Sequence, residues 1–320
     1  MSRLVILQDH TVPCFRFRER HLRQLQTAFP RDEIVWCHES DGLDGFLSAL
    51  RTAEAAFTWR WETEWNDLAP QLRYLATPAA GHDFFPEQMP PRILVHHGQF
   101  HGEFMSETLL GMMLGFQRGI FDAVKRQCAG ELWPRLTMTE PASIRNTHAV
   151  MIGVGQIAQW VIRALKPFGI RITGFCRHPE RAKLPPCCDN VDRVLPIGKL
   201  HEVLPEADHL ILILPNDTGT DNLIGAAELA KLPPHAVVYN IGRGNCIDER
   251  NLADALESRK IKGACLDVFA EEPLPVTSPL ARNLPGLMRM PHVSAFEDKY
   301  MDRFVAEAIR WLAEARGRDS

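Results

Sequence analysis

Apolar residues recur along this chain in short runs of strand length, set between longer stretches in which they return every three or four positions. In the N-terminal third the runs at 4–7, 33–37, 53–58, 72–77 and 93–96 read as strands, with a helix over 15–28 among them. Residues 102–128 are helical in pattern and mostly apolar, which suits one long buried helix or a pair joined near Gly119, bridging two domains. A loop rich in Pro, Thr and Ser follows at 133–146. A second alternating series then begins, with strands expected at 148–152, 171–175, 209–214, 236–240, 263–268 and 287–290. These runs are apolar throughout, as in strands buried on both faces of a parallel sheet. The C-terminal segment places Met301, Phe304, Val305, Ala308, Ile309 and Leu312 on one helical face, with Gly317 as the expected stop. Alternation of this kind predicts an α/β protein with two doubly wound parallel-sheet domains.

Length supports that division, since 320 residues exceed what one core usually organises at roughly 150 residues per domain. Hydrophobic residues at 45% and charged residues at 24% set aside disorder, collagen and coiled coil. No apolar run approaches the roughly 20 residues of a membrane-spanning helix. The start, MSRLVILQDH, reads as a first strand and not a signal peptide, so a cytoplasmic protein without a membrane partner is expected. The cysteines include no C-x-x-C pair, which points to reduced thiols and to neither a disulfide framework nor a metal site. A net charge of -4 and the lack of any Lys/Arg block exclude nucleic acid as an expected partner.

The first chemical motif follows the strand at 148–152. Gly153, Gly155 and Ala158, with Gln156 and Ile157 between them, form G-x-G-x-x-A at a strand-to-helix turn. The glycines permit a tight turn and close backbone approach to a pyrophosphate, the alanine lets helix and strand pack, and the helix N-terminus offers N–H groups to phosphate. In that setting the motif predicts dinucleotide binding. A fold of this type that selects NAD ends its second strand in a carboxylate that binds the ribose 2′-OH. Here Cys176, Arg177 and His178 stand in that place, and a guanidinium can neutralise a 2′-phosphate, with His178 or Arg181 assisting. NADP(H) is therefore the expected cofactor, with NAD(H) as the alternative.

Further segments carry a family resemblance. These are Leu214-Pro215 with Thr218 and Thr220 behind them, Tyr239-Asn240-Ile241-Gly242-Arg243-Gly244 with Asp248-Glu249, Leu266-Asp267-Val268-Phe269-Ala270-Glu271-Glu272-Pro273, and Met290-Pro291-His292-Val293-Ser294. In this order the chain resembles the D-isomer-specific 2-hydroxyacid dehydrogenases over about residues 100–300, and more loosely before that. The resemblance implies a flavodoxin-like substrate domain from residues 1–97 and 293–320, and a Rossmann coenzyme domain from 98–292. It implies a homodimer that reduces a small 2-oxo acid, of the glyoxylate or hydroxypyruvate type, to a D-2-hydroxy acid.

By resemblance Arg243, Glu272 and His292 form the catalytic triad, and the choice of Glu272 over Glu271 follows the family's acid immediately before proline. The chemistry agrees with each assignment. Reduction puts negative charge on the ketone oxygen, so the site needs a fixed cation, which Arg243 can be while also binding the carboxylate, and a proton donor, which His292 can be. Glu272 would favour the imidazolium and orient the ring. The resemblance adds Leu214, Pro215, Thr220, Ile241, Gly242 and Asp267 to the cofactor site. It makes Ala79, Ala80 and Gly81 a loop whose N–H groups hold the substrate carboxylate alongside Arg243 and His292. Trp59 and Phe100 are candidate pocket walls. His97 and His101 would share a face if a helix ran through them, yet no further ligand is spaced to complete a metal site, so none is expected.

The same fold and triad occur in corepressors resembling C-terminal binding protein, which makes a dinucleotide-sensing binding protein the alternative function. Formate and phosphite dehydrogenases fit less well, because the former carry Gln where Glu272 stands and the latter need a lysine in the loop at 77–81.

Overall fold

The computed structural model describes residues 2–131 and 141–318, so most of the expected loop at 133–146 lies outside the described residues. The chain divides into two compact units, one of Met1–His101 with Phe296–Ser320 and one of Gly102–Ala295.

In the first unit the strands are β1 (Arg3–Leu7), β2 (Glu33–Cys37), β3 (Ala55–Thr58), β4 (Tyr74–Thr77) and β5 (Leu94–His97). They form one parallel sheet in the order β2-β1-β3-β4-β5. Alternate residues of β1 serve two cores: Leu4 and Ile6 pack with Phe304, Ala308 and Leu312 of helix Tyr300–Arg318, while Val5 and Leu7 pack with Phe46, Leu50 and Trp65 on the opposite face. That two-sided burial is why the strands read as unbroken apolar runs. The expected helix over 15–28 is shorter, Glu19–Ala28, preceded by a single turn at Pro13–Phe15. The C-terminal helix does not stop at Gly317 but includes it and Arg318, Gly317 lacking the left-handed φ of a helix stop.

In the second unit β6 (His148–Ile152), β7 (Arg171–Cys176), β8 (Arg193–Pro196), β9 (His209–Leu212), β10 (Val237–Asn240), β11 (Gly263–Leu266) and β12 (Leu287–Arg289) form a parallel sheet ordered β12-β11-β10-β9-β6-β7-β8. The pattern reading anticipated all of these except β8, a short edge strand carrying Arg193 and Pro196, whose ring leaves no N–H for a further neighbour. Residues 102–128 form two helices, Gly102–Gln117 and Ile120–Cys128, parted at Gly119 with φ +69°. The first packs across helix Gln156–Leu165 on one face of the sheet. The α/β class with two parallel sheets read from the pattern is the architecture found. Strand order reverses around β6, whose neighbours are β9 on one side and β7 on the other. The carboxyl ends of these strands are where a doubly wound sheet holds its ligand.

Candidate active site in the second unit

β6 ends in a turn that only glycine can make. Gly153 has φ +97°, and a side chain there would bring Cβ within 2.3 Å of the Ile213 carbonyl oxygen on the adjoining strand end. Gly155 then caps helix Gln156–Leu165 in extended conformation and, as a glycine, places no side chain over the first turn. A Cβ on Gly155 would project into open space, Gln156 is exposed, Ile157 is half-buried, and Ala158 lies fully buried against the sheet. A helix N-terminus entered through a glycine with open space over its Cα fits a dinucleotide pyrophosphate. One flank of this cradle is the end of β7, where Cys176 is half-buried and Arg177 and His178 are exposed. His178 and Arg181 both reach Glu180, at 3.3 and 3.7 Å. Arg177 instead donates to Asp217 at 2.5 Å, on the opposite flank, in the loop that follows Leu214 and Pro215. Thr220 closes that loop by donating its hydroxyl to the Asp217 carbonyl at 2.7 Å.

The turn after β10 carries Arg243. The Asn240 side chain clamps it from both directions, accepting from the Gly242 N–H at 3.0 Å and donating to the Arg243 carbonyl at 2.9 Å. Ile241 and Gly242 are buried in this turn, whereas Arg243 is partly exposed and donates to the Gly242 carbonyl at 3.0 Å. Gly244 sets this segment against the next one, since a Cβ there would lie 1.9 Å from the Phe269 carbonyl carbon. Contact this close brings Arg243 beside the turn that bears Glu272.

Glu272 and His292 meet directly. The His292 Nδ1 donates to Glu272 Oε2 at 2.6 Å, because a carboxylate only accepts, and Glu272 Oε1 accepts the Phe269 N–H at 2.9 Å. Burial raises the Glu272 carboxyl, but the His292 hydrogen bond, the Phe269 N–H and the charges of His292 and Arg243 outweigh it and leave the group below its ordinary range. The ring thus presents its Nε2 outward, and the His292 side chain is 46% exposed. His292 itself has φ +56°, uncommon for a residue with a side chain. The cause lies beneath it. Asp267 accepts His292 N–H on its carbonyl at 2.8 Å and the Val293 and Ser294 N–H groups on its two carboxylate oxygens, each at 2.8 Å.

Asp267, expected at the cofactor, has no exposed surface, and its oxygens are bonded to the backbone that carries His292.

In the first unit the loop at 77–83 follows β4. Thr77 Oγ1 accepts the Ala79 N–H at 3.2 Å, and Gly98 N–H bonds the Thr77 and Ala79 carbonyls at 3.0 and 3.2 Å. Ala79, expected to offer its N–H to a substrate, is engaged by this bond and 6% exposed, while Ala80 and Gly81 are half-buried. Tyr300 donates to the Pro78 carbonyl at 3.0 Å while the buried His101 ring reaches the Tyr300 hydroxyl at 2.8 Å. Trp59 and Phe100 belong to an aromatic group with His10, Phe15 and Tyr300. His97 ends β5 and His101 precedes the helix that starts at Gly102, so they do not share a helical face. His97 stacks on His82 at 3.8 Å, and His96 bonds Glu307 at 2.7 Å.

Residues 110–294 match the model of the D-isomer specific 2-hydroxyacid dehydrogenase NAD binding domain. The chain belongs to that family. Among its curated relatives is the glyoxylate/hydroxypyruvate reductase B of Pectobacterium carotovorum, 34% identical over 266 residues that cover 79% of this chain and 80% of the relative. A crystal structure of a D-isomer specific 2-hydroxyacid dehydrogenase family protein from Aeromonas salmonicida matches with TM-score 0.76 and 26% identity, over 98% of this chain and 96% of the other. The NADPH-dependent glyoxylate/hydroxypyruvate reductase of Sinorhizobium meliloti, solved with NADP and sulfate, shares the fold at TM-score 0.75 and 22% identity over 99% and 96% of the two chains.

This dehydrogenase is thus an NAD(P)-dependent oxidoreductase of 2-hydroxy acids, and among the described residues no helix is long and apolar enough to cross a membrane. Two hydrogen-bonding partners near these turns, Asn240 and Asp217, were not singled out in the sequence. Asn240 was visible as part of a motif, but its double clamp on the Arg243 turn was not. Asp217 sits 40 positions from Arg177 in a polar loop, and nothing in the local pattern announces that pair.

Proposed function

We propose that this chain reduces small 2-oxo acids of the glyoxylate or hydroxypyruvate type to D-2-hydroxy acids, with NADPH preferred over NADH. The observation that carries the reading is the 2.6 Å bond from His292 to Glu272, with Arg243 close enough for its charge to act on the same carboxylate. A bound nicotinamide cofactor supplies the hydride. Arg243 then stabilises the charge that grows on the ketone oxygen and grips the substrate carboxylate. His292 delivers the proton from Nε2, held in that orientation by Glu272 at Nδ1. Gly153, Gly155, Gln156 and Ile157 cradle the pyrophosphate, and the turns at Leu214, Pro215, Thr220, Ile241 and Gly242 border the rest of the cofactor. In the first unit Ala80 and Gly81 bind the substrate carboxylate, so that unit serves as the substrate domain.

The substrate size is supported by the name of the Pectobacterium relative. The cofactor preference is supported by Arg177 and by the half-buried, uncharged Cys176 where a ribose-binding carboxylate would stand. A cytoplasmic homodimer completes the reading and rests on the family resemblance. Initial rates with glyoxylate, hydroxypyruvate, pyruvate and bulkier 2-oxo acids, each with NADPH and NADH, test it. Fast turnover of the two small acids, with NADPH favoured at least about 10-fold in kcat/KM, is expected from a charge-assisted phosphate contact. Turnover confined to bulkier acids, or a preference for NADH, would overturn it.

A further inference from the structure

The Arg177–Asp217 pair lies in an unusual place for an exposed ion pair. β7 and β9 flank β6 on opposite sides, with Ile152 opposite Phe175 on one and Leu212 on the other. Arg177 leaves the end of β7 and Asp217 leaves the loop after β9, so their contact at 2.5 Å closes over the carboxyl end of β6 beside the glycine turn. The two partners are not equally free. Asp217 is anchored: its other carboxylate oxygen accepts the Gly219 N–H at 2.8 Å, and its carbonyl accepts both the Thr220 N–H and hydroxyl at 2.7 Å. Arg177 is a long side chain, 61% exposed.

A phosphate that approaches Arg177 therefore meets a guanidinium already engaged by a carboxylate that the local backbone keeps in position. The phosphate can win the arginine only by displacing Asp217 from it, and that displacement is what the competition costs. A ribose bearing only a 2′-OH brings no charge to either group.

We propose that Asp217 sets cofactor specificity by competing with the 2′-phosphate of NADPH for Arg177, holding the preference for the phosphorylated cofactor below what Arg177 alone would give. The proposal rests on the reading that Arg177 binds that phosphate. Asp217 acts on binding, through Arg177, and takes no part in the chemical step. The pair's exposure keeps the effect modest, since exposed ion pairs are worth little.

Fluorescence titration of NADPH and NADH into wild type, Asp217→Asn, Arg177→Ala and the double variant tests the proposal by affinity alone. Asparagine keeps an oxygen for the Gly219 N–H, so the loop is preserved while the charge is removed. Asp217→Asn should tighten NADPH by about 3- to 5-fold and change NADH by less than about 2-fold. In the Arg177→Ala background the same change should yield under about 2-fold. If Asp217→Asn leaves NADPH affinity unchanged or weakens it, Asp217 does not compete for Arg177. A gain of equal size with and without Arg177 would likewise overturn the proposal. The underlying cofactor reading fails differently: Arg177→Ala would then leave NADPH affinity at the wild-type value.

Discussion

The carboxyl edges of the two sheets are built on different plans. Along the seven-stranded sheet, backbone touches backbone: the Gly153 turn lies against Ile213 and the Gly244 segment against Phe269, at distances that admit no side chain. Buried polar side chains then lock the turns, Asn240 under Arg243 and Asp267 under His292. Along the five-stranded sheet the edge is made of rings, with His10, Phe15, Trp59, Phe100 and Tyr300 grouped around one another near the loop at 77–83. An edge fixed by its backbone aims a few charged groups and tolerates little change. A ring-lined edge keeps its framework while its contour is recut by substitution. On the proposed function, the first plan would serve the reaction and the second the choice of substrate.

The strongest test of that contrast removes a charge from the rigid edge. Arg243→Ala should lower kcat/KM for glyoxylate by at least about 100-fold, the scale of losing a preorganised transition-state donor, while NADPH binding followed by fluorescence persists. Near-normal turnover would take Arg243 out of the mechanism. Weakening the support without touching the reacting groups should cost less. Asp267→Asn keeps one acceptor for Val293 or Ser294 but turns its N–H₂ toward the other N–H, so His292 loses its fixed placement. A fall in kcat of roughly 10-fold, with KM nearly unchanged, is expected. An unaltered kcat would mean that the His292 segment holds its shape without the carboxylate.

The ring-lined edge should respond in kind and not in amount. Trp59→Ala should shift the ratio of kcat/KM between a bulkier 2-oxo acid and glyoxylate by about 10-fold, with NADPH affinity unmoved. If that ratio stays constant, Trp59 is core alone.

What could be read in the sequence follows the same division. The glycine turn and the segments around Arg243, Glu272 and His292 are legible because close backbone contact tolerates few residue types in few positions, which leaves short motifs. The strands were legible because burial on both faces makes them continuous apolar runs, and β8 escaped because an edge strand with Arg193 and Pro196 lacks that signature. Asp267 was seen as part of a motif, but its bonds to the Val293 and Ser294 N–H groups were not, since a motif reports that a carboxylate is needed and not which way it points. The Arg177–Asp217 pair joins loops whose proximity depends on strand order, and the ring cluster joins residues from His10 to Tyr300 that share no local pattern.

The smallest expected effects are on acid stability, and here the two units behave alike. Burial, and the His82 ring beside it, hold His97 down to about 4; burial likewise holds His209 to about 4 in the second unit. Both lie below the ordinary value of 6.5. The unfolded chain therefore takes up these protons first, so the stability each neutral ring contributes is complete above pH 6.5 and is lost as pH falls toward 4. His97→Phe, which keeps a stacking ring, and His209→Leu should each flatten the decline of Tm across that window, on the order of 2–4 °C. An identical decline in either variant would show that its ring is protonated in the folded protein.

The account turns on His292 as the proton donor, and a single-turnover experiment reaches it most directly. Wild type and His292→Gln are loaded with saturating NADPH, mixed with glyoxylate, and the loss of NADPH absorbance is timed. Glutamine can hydrogen-bond but cannot give up a proton near neutral pH, so cofactor should bind as before and its oxidation should slow by roughly 100-fold or more. Oxidation of NADPH at the wild-type rate in His292→Gln would contradict the mechanism at its centre.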